Sequence, residues 1–367
     1  MQPSRFRILI ITTNTGGGHI NLAQSLKEML GSKYQVDIAD PYPHLMQQYY
    51  STLSRYFMGF WNFQYTLMDN TLGAWLVHSV LTFSVRKRLA ALLTRTQPQL
   101  IISTHPLLSY EIAQVNEHLS KKIPLVFQLT DLEQTHMAWF SEKHADAYLA
   151  PTDEICVQAE KQGIATQRLH VTGRPVRRQF LQQGLTTKTE LLPTLGLDPT
   201  RFTIFLQGGA KGSAGIDRTV KNFLAANTPT QIILAVGNNK ALAAHFANVE
   251  HLSVLPFTAN IAPYMAVSDL IAGKAGASFL SEAFTLEKPC LITSYIPGQE
   301  TPNLSFLTRH NLGWVCLDVA AQQFLINEIA SNPTMLAEKV ESIRTYRTWN
   351  LQANQAIYDI VDGLIVS

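Results

Sequence analysis

The sequence predicts an α/β protein built from two doubly wound parallel sheets. Short apolar, β-branched runs alternate with helical patterns along the whole chain, which is typical of parallel strands joined by crossover helices. The chain has 367 residues, too many for one typical core, and 46% of them are hydrophobic. The runs expected to form strands are Ile8–Ile11, Gln35–Ala39, Leu100–Ser103, Leu125–Leu129, Ala147–Ala150, His170–Thr172, Thr203–Leu206, Gln231–Val236, Leu252–Leu255, Leu270–Ile271, Pro289–Ile292 and Gly313–Cys316.

The natural linker between the two sheets is Gly173-Arg174-Pro175 with the largely polar stretch that follows it. The predicted division is 1–175 for an N-terminal domain, 176–350 for a C-terminal domain and 351–367 for a closing helix. Ligands of such sheets bind beyond the carboxyl ends of the strands, so two facing domains place the site in the cleft between them. The apolar face of the closing helix consists of Ile357, Ile360, Val361, Leu364 and Ile365.

Composition and charge exclude several classes of protein. A net charge of +2 argues against nucleic-acid binding, and a charged content of 15% describes a folded chain. The three cysteines lack metal-ligand spacing and are expected to be free thiols in a reducing compartment. No signal peptide is recognisable, and the longest apolar run, Leu72 to Val85, is too short to span a bilayer. We therefore expect a cytoplasmic protein, soluble or peripherally bound to a membrane.

A glycine-rich turn follows the first predicted strand, with Gly16, Gly17 and Gly18 leading to His19 and a helical stretch. Consecutive glycines let a ligand approach the backbone, and amides at a helix start favour an anionic or polar ligand. His19 adds a group that titrates near neutral pH. The spacing does not match the dinucleotide-binding fingerprint. The alternative is an ordinary glycine-rich turn beside a surface histidine.

A second glycine-rich turn, which includes Gly208 and Gly209, follows the first strand of the second half. Two such turns facing each other can hold a diphosphate. Farther along, Lys274 and Glu282 flank an amide-rich turn, so lysine and amides can meet phosphate while the carboxylate accepts ribose hydroxyls. The alternative for Glu282 is an acid at a helix start, stabilised by the helix dipole. The polar loop 297–303 suits sugar hydroxyls, or it is an ordinary turn.

An aromatic and basic segment lies between the second and third predicted strands. It contains Trp61 and Trp75 and ends on Arg86-Lys87-Arg88. Aromatic side chains suit the bilayer interface, and each cation near an anionic surface contributes on the order of 1 kcal/mol. The segment therefore predicts a membrane-binding surface. The alternative is a buried pair of helices whose end is capped by cations.

Taken together, these motifs resemble those of the monogalactosyldiacylglycerol synthases and related diacylglycerol glucosyltransferases. These enzymes form glycosyltransferase family 28 and have the GT-B fold, two facing Rossmann-like domains. The resemblance covers nearly the whole chain, and its most specific parts are the last two motifs in their order and spacing. The motifs are Thr15-Gly16-Gly17-Gly18-His19, Ser103-Thr104-His105-Pro106, Thr130-Asp131-Leu132 with His136 and Trp139-Phe140, Val171-Thr172-Gly173-Arg174-Pro175-Val176, Gly237-Asn238-Asn239-Lys240, Lys274-Ala275-Gly276, Ser281-Glu282-Ala283 and Tyr295-Ile296-Pro297-Gly298-Gln299-Glu300.

The resemblance implies transfer of galactose or glucose from a UDP-sugar to the free hydroxyl of diacylglycerol at an anionic membrane surface, with inversion. In that reaction His19 is the base for the acceptor hydroxyl, and Asp131 orients its ring. The rival interpretation of Asp131 is a buried structural aspartate. No aspartate pair stands in a metal-binding context, so neither a metal nor another cofactor is expected.

The remaining site predictions divide between the two substrates. On the acceptor side, Gly17, Gly18, His105 and His136 are expected beside the lipid, although both histidines could equally be hydrogen-bonded core residues. Phe257 is expected to stack on or pair with uracil. The residues predicted on the donor side are Gly208, Gly209, Phe257, Lys274, Gly276, Ala277, Ser278, Glu282, Gln299, Glu300 and Asn303.

Three rival functions share parts of this pattern. A nucleotide-sugar epimerase would have the same fold and donor loops without needing the aromatic segment. A lipid-linked peptidoglycan precursor could replace diacylglycerol as the acceptor. A non-catalytic lipid-binding subunit would tolerate loss of His19 or Glu282, and both are present.

Overall fold

A computed structural model of the chain describes residues 6–13, 17–42, 59, 69–182, 186–207 and 215–366. These residues form two six-stranded parallel sheets, which confirms the predicted fold class. The chain divides into two compact units. The first comprises Met1–Arg178, Ile296–Asn303 and Trp349–Ser367, and the second comprises Gln179–Tyr295 and Leu304–Thr348. The domain boundaries drawn from the sequence stay predictions.

The first unit contains a sheet with the strand order β2-β1-β3-β4-β5-β6. Each strand expected in this half is present, with shifts of one residue at the ends of three of them, β1, β4 and β6. Its strands and the helices between them are β1 (Arg7–Ile11), α1 (Gly18–Leu30), β2 (Gln35–Ala39), α2 (Thr71–Thr96), β3 (Leu100–Ser103), α3 (Pro106–Glu117), β4 (Leu125–Gln128), β5 (Ala147–Ala150), α4 (Asp153–Lys161) and β6 (Leu169–Val171).

The second unit contains a sheet with the strand order β12-β11-β10-β7-β8-β9. The elements from there to the end of the chain are α5 (Lys188–Leu191), β7 (Phe202–Gln207), α6 (Ile216–Leu224), β8 (Thr230–Gly237), α7 (Lys240–Phe246), β9 (Leu252–Pro256), α8 (Ala262–Ala266), β10 (Leu270–Lys274), α9 (Ala277–Thr285), β11 (Cys290–Ser294), α10 (Thr301–Arg309), β12 (Gly313–Val315), α11 (Val319–Ser331), α12 (Pro333–Ala353) and α13 (Ala356–Val366).

Both faces of the first sheet are covered, which explains why its strands are continuous apolar runs and not alternating ones. Ile8 and Ile10 of β1 point into one apolar cluster, and Leu9 and Ile11 point into another on the opposite face. The closing helix α13 belongs to the first of these clusters through buried Ile357 and Val361. Among the described helices, none combines the length and the apolar character that crossing a bilayer requires.

After β6, the backbone at Gly173 packs closely against the end of α12. Gly173 has φ +66°, in the left-handed region, and a Cβ on it would lie 2.6 Å from Asn354 Nδ2 and 2.7 Å from Asn350 Oδ1. Asn350 Oδ1 accepts from the backbone N–H of Arg174 at 2.7 Å, and Asn354 Nδ2 donates to the carbonyl of Thr172 at 3.1 Å. Glycine is required here both for its conformation and for the close approach of two side chains.

Substituting Gly173→Ala should therefore destabilise the first unit by about 2–4 kcal/mol, because left-handed strain and a steric clash add together. Gly163→Ala is the matched control, since Gly163 has φ +87° but a Cβ there meets only the flexible end of Lys143. Its cost should be about 1–2 kcal/mol. Urea-dependent hydrogen exchange of amides in β5 and β6 measures both. Equal losses in the two variants would contradict the clash.

Candidate functional site

The carboxyl edge of the first sheet collects four chemically active side chains. His19 lies in the first turn of α1 after β1, His105 follows β3, Asp131 follows β4 and Arg174 follows β6. The strand order places β1, β3 and β4 side by side, so their carboxyl ends meet at one edge. Gly17 precedes α1 as its N-cap residue and Gly18 begins the helix.

The ring of His19 is held by a backbone carbonyl. Its Nδ1 lies 2.7 Å from the carbonyl oxygen of Thr104, and a carbonyl only accepts. Nδ1 therefore carries the proton and Nε2 keeps its lone pair. Burial lowers the pKa of His19 to about 4, the hydrogen bond to Thr104 opposes that shift, and the positive charge of Arg174 adds to it. The ring is consequently neutral at pH 7, with a basic Nε2.

Asp131 is held by two threonines. Its Oδ2 accepts from Thr135 Oγ1 at 2.9 Å and from Thr130 Oγ1 at 3.2 Å. Burial raises the pKa of Asp131 to about 6, while the threonine hydrogen bonds and Arg174 lower it and Glu300 raises it. The orienting role that the resemblance implied for Asp131 is filled in this structure by the carbonyl of Thr104, because the His19 ring hydrogen-bonds there. A catalytic role for Asp131 stays a prediction.

His105 and His136 both cap helical turns. Nδ1 of His105 accepts from Leu107 N–H at 3.2 Å, and Nδ1 of His136 accepts from Ala138 N–H at 3.0 Å. Each neutral ring therefore carries its proton on Nε2. The His105 ring lies 4.4 Å from that of His19, between centroids, and burial lowers its pKa well below the ordinary value. Both histidines are buried, and each stabilises the helical turn that it caps. Their position beside an acceptor stays a prediction.

Arg174 is the residue of this edge that the site prediction missed. Its side chain is only 2% exposed, and its Nε donates to the carbonyl of Thr130 at 3.2 Å. The sequence offers one signal, an arginine directly after a glycine that lies two residues beyond the end of β6. The interpretation of residues 173–175 as a linker gives that arginine no role in the site. The structure places its charge close enough to lower the pKa values of both His19 and Asp131.

Three predicted sugar-binding residues lie in the loop segment that groups with the first unit, Ile296–Asn303. Glu300 closes this loop on itself, because its Oε2 accepts from Ile296 N–H at 2.7 Å while its own N–H donates to the Ile296 carbonyl at 2.9 Å. Glu300 and Asn303 are buried and Gln299 is partly exposed. The buried carboxylate that locks the loop distinguishes it from an ordinary surface turn.

The carboxyl edge of the second sheet carries the other predicted donor residues. Lys274 ends β10, Gly276 is the N-cap of α9, and Ala277 and Ser278 begin that helix. Glu282 lies in its second turn and is 7% exposed. Because the helix dipole acts mainly within the first turn, this position does not favour the alternative of a dipole-stabilised acid. Phe257 directly follows β9 and is 61% exposed.

Gly273 brings two strands of this edge together. A Cβ on it would lie 1.9 Å from the carbonyl oxygen of Gln207, the last residue of β7. Only glycine permits that approach. The turn after β10 is thereby held against the strand from which the second glycine-rich turn departs.

Some predicted residues fall outside the description. Trp61, Gly208 and Gly209 lie beyond the described residues, and Trp75 is described only as part of the backbone of α2. Arg86, Lys87 and Arg88 are all exposed on α2, between buried Val85 and Leu89. The helix continues to Thr96, more than two turns farther, so these cations do not cap its end.

Two doubly wound parallel units, each with polar residues at its carboxyl edge, are the architecture of glycosyltransferases with the GT-B fold, and the family models assign the chain to that class. The model of the monogalactosyldiacylglycerol (MGDG) synthase family matches residues 19–176, and that of the glycosyltransferase family 28 C-terminal domain matches residues 203–352. The chain belongs to this family, the MGDG synthases and related enzymes of glycosyltransferase family 28.

Individual relatives agree with this assignment. Monogalactosyldiacylglycerol synthase 3, chloroplastic, of Arabidopsis thaliana is 26% identical over 97% of this chain and 80% of its own length. Among solved structures, the glycotransferase of kitacinnamycin superposes with a TM-score of 0.67 at 12% identity, covering 99% of this chain and all of that one. Anabaena HepE in complex with UDP-glucose superposes with a TM-score of 0.60 at 14% identity, covering 97% and 99% of the two chains. These structures share the fold.

The threonine contacts of Asp131 can be tested directly. Thr135→Val removes a hydrogen bond that favours the ionised carboxylate, so the pKa of Asp131 should rise by roughly half a unit to one unit. Carbon-13 NMR titration of the carboxyl group measures the shift. Thr166→Val is the control, because Thr166 makes a similar contact of 2.8 Å to Glu160 elsewhere in the unit. No change at Asp131 in the Thr135 variant would contradict the assigned contact.

Proposed function

We infer that this glycosyltransferase moves a hexose, galactose or glucose, from a UDP-sugar to the free hydroxyl of diacylglycerol at the cytoplasmic surface of a membrane. The observation that carries the proposal is the His19 ring, whose Nδ1–H is fixed on the Thr104 carbonyl so that Nε2 is left as a base. The names of the relatives, monogalactosyldiacylglycerol synthases, support the choice of sugar class and acceptor.

In the proposed reaction, Nε2 of His19 accepts the proton of the acceptor hydroxyl as that oxygen attacks the anomeric carbon. A carbon–oxygen bond to the acceptor forms while the bond from the anomeric carbon to the diphosphate breaks, so the configuration inverts and UDP leaves. A pKa of about 4 keeps the ring unprotonated before reaction. The negative charge of a bound diphosphate raises that pKa and makes proton transfer easier.

The donor is proposed to bind at the carboxyl edge of the second sheet. The carboxylate of Glu282 accepts the ribose hydroxyls, and exposed Phe257 contacts the uracil base. Lys274 and the amides at the beginning of α9, with Gly208 and Gly209, meet the diphosphate. Such preorganised donors stabilise a leaving diphosphate without a metal ion.

The sugar itself is proposed to contact the loop 296–303. Glu300 and Asn303 are buried, and Gln299 is partly exposed beside them. Amide and carboxylate groups held by a closed turn discriminate hydroxyl positions, because a mismatched hydroxyl leaves a buried polar group without its hydrogen bond.

The proposal is tested by incubating the purified chain with labelled UDP-galactose or UDP-glucose and diacylglycerol vesicles and identifying the lipid product. We expect a glycosyldiacylglycerol, formed equally well with EDTA present. His19→Gln should lower kcat by about 100-fold to 10,000-fold with UDP affinity retained, as expected for loss of a general base. His118→Gln is the matched control, since His118 also places Nδ1 2.7 Å from a backbone carbonyl but is exposed at the end of α3.

Other outcomes of this assay identify the rival functions. Interconversion of free nucleotide sugars without lipid would indicate an epimerase. Transfer only to a polyprenyl-linked precursor would change the acceptor, and lipid binding without any sugar transfer would indicate a non-catalytic subunit. Full turnover by His19→Gln would remove the proposed base.

Membrane binding is proposed to involve the exposed cations of α2. Arg86, Lys87 and Arg88 are successive exposed residues, and they follow the aromatic segment that contains Trp61 and Trp75. Cations on successive helical positions present charge over a wide arc, which suits a surface of anionic headgroups.

Replacing all three cations with alanine should weaken binding to mixed phosphatidylcholine–phosphatidylglycerol vesicles about 100-fold, at about 1 kcal/mol for each charge. Vesicle co-sedimentation at low salt measures the change. The control removes the same charge from exposed Lys121, Lys143 and Lys161, which are scattered over the first unit. Equal weakening by both triple variants would contradict a dedicated surface on α2.

A further inference from the structure

We propose that Arg174 is a positioning residue whose buried guanidinium, held on the carbonyl of Thr130 beside Asp131, sets the electrostatic environment of the His19 ring and the Asp131 carboxylate. The inference rests on the proposed function, because that function makes His19 the base of the proton transfer. In the sequence, Arg174 belongs both to the predicted linker and to the motif 171–176, and neither assigns it a role.

The position of Arg174 is fixed from three sides. Its Nε donates to the carbonyl of Thr130, the residue directly before Asp131. Its backbone N–H donates to Asn350 Oδ1 at 2.7 Å, and its carbonyl accepts from Asn350 Nδ2 at 3.2 Å. The preceding Gly173 is held in the left-handed conformation by the same asparagine and by Asn354. A side chain anchored in this way cannot carry its charge out to solvent.

Burial makes this charge effective. Arg174 is 2% exposed, and a charge removed from water acts over longer distances than one at the surface. Its field lowers the pKa of His19, where it opposes the imidazolium, and the pKa of Asp131, where it stabilises the carboxylate. An arginine remains charged at every pH of interest, so the effect is constant.

The other polar groups around His19 and Asp131 affect the pKa values of these two side chains in different directions. The carboxylate of Glu300, from the loop 296–303, raises the pKa of Asp131. The ring of His105 lies against His19, and His136 acts on His105 in turn. Thr130 and Thr135 donate to Asp131, and Thr104 accepts from His19. Among the described residues, Arg174 is a cation that acts on both His19 and Asp131.

This arrangement predicts the direction in which the pH profile of kcat/KM shifts, whichever of the two groups limits the reaction. Removing the positive charge raises the pKa of His19 and also raises that of Asp131. Both groups then become protonated at a higher pH. His19 must be deprotonated to take up the acceptor's proton, and the catalytic role predicted for Asp131 requires its carboxylate form. The acid limb of kcat/KM therefore moves to higher pH in either case.

The test compares the pH profiles of kcat/KM for wild type, Arg174→Gln and Arg174→Lys. The acid limb of Arg174→Gln should lie roughly half a unit to one unit higher, while Arg174→Lys keeps the charge and should keep the limb even if kcat falls. Arg168→Gln is the matched control, because Arg168 lies just before β6 and donates to the carbonyl of Ala145 as Arg174 does to Thr130. An unmoved limb in a folded Arg174→Gln variant would overturn the proposal.

A second measurement separates this proposal from the proposed function. Histidine NMR, with the His19 signal assigned by its loss in His19→Gln, reports the ring's pKa without any turnover. The wild-type ring should titrate well below 6.5, and Arg174→Gln, or Arg174→Met where the glutamine variant does not fold, should raise its pKa. A wild-type His19 that titrates at or above 6.5 overturns the role of Arg174 without any variant. Absence of sugar transfer with the NMR shift present would overturn only the function.

Discussion

The hydrogen bond between His19 Nδ1 and the Thr104 carbonyl is the interaction on which the candidate site depends. Thr104 follows β3, and its own N–H donates to the carbonyl of Ile11 at the end of β1. Its hydroxyl also donates to the carbonyl of His19 at 3.4 Å. One residue thus ties the end of β1, the beginning of α1 and the imidazole together, and the ring's tautomer follows from that geometry. Any rotation of the ring would break the bond that defines which nitrogen is basic.

A second constraint is the balance of buried charge around that ring. The carboxylate of Glu300 and the guanidinium of Arg174 act on Asp131 in opposite directions, the first raising its pKa and the second lowering it. Burying ions is costly unless they are paired and hydrogen-bonded, and each of these groups has such partners. The pKa of Asp131 is raised to about 6 because the effect of burial exceeds the opposing effects of the threonine hydrogen bonds and Arg174. Small changes of charge at this edge therefore change protonation states near neutral pH.

The fold could be predicted from the sequence because its signals are local. β-Branched runs such as Ile8–Ile11 identify strands without knowledge of their neighbours, and the glycine-rich turn marks the strand-to-helix junction at His19. The parts of the site that could not be predicted depend on partners far along the chain. Thr104 is 85 residues from His19, and Asn350 is 176 residues from Arg174. No spacing rule connects such pairs, so a carboxylate was the expected partner of the ring where the structure uses a backbone carbonyl.

The use of a carbonyl has a chemical consequence for the proposed transfer. A carboxylate beside Nδ1 would stabilise the imidazolium before any substrate binds, whereas a neutral carbonyl does so only weakly. The ring accordingly stays a weak base, with a pKa of about 4 in the free protein. Each unit by which a bound diphosphate raises that pKa stabilises the imidazolium by about 1.4 kcal/mol. In that reaction the donor supplies both the leaving group and the negative charge that strengthens the base, so the acceptor hydroxyl is deprotonated efficiently only when a sugar is present to receive it.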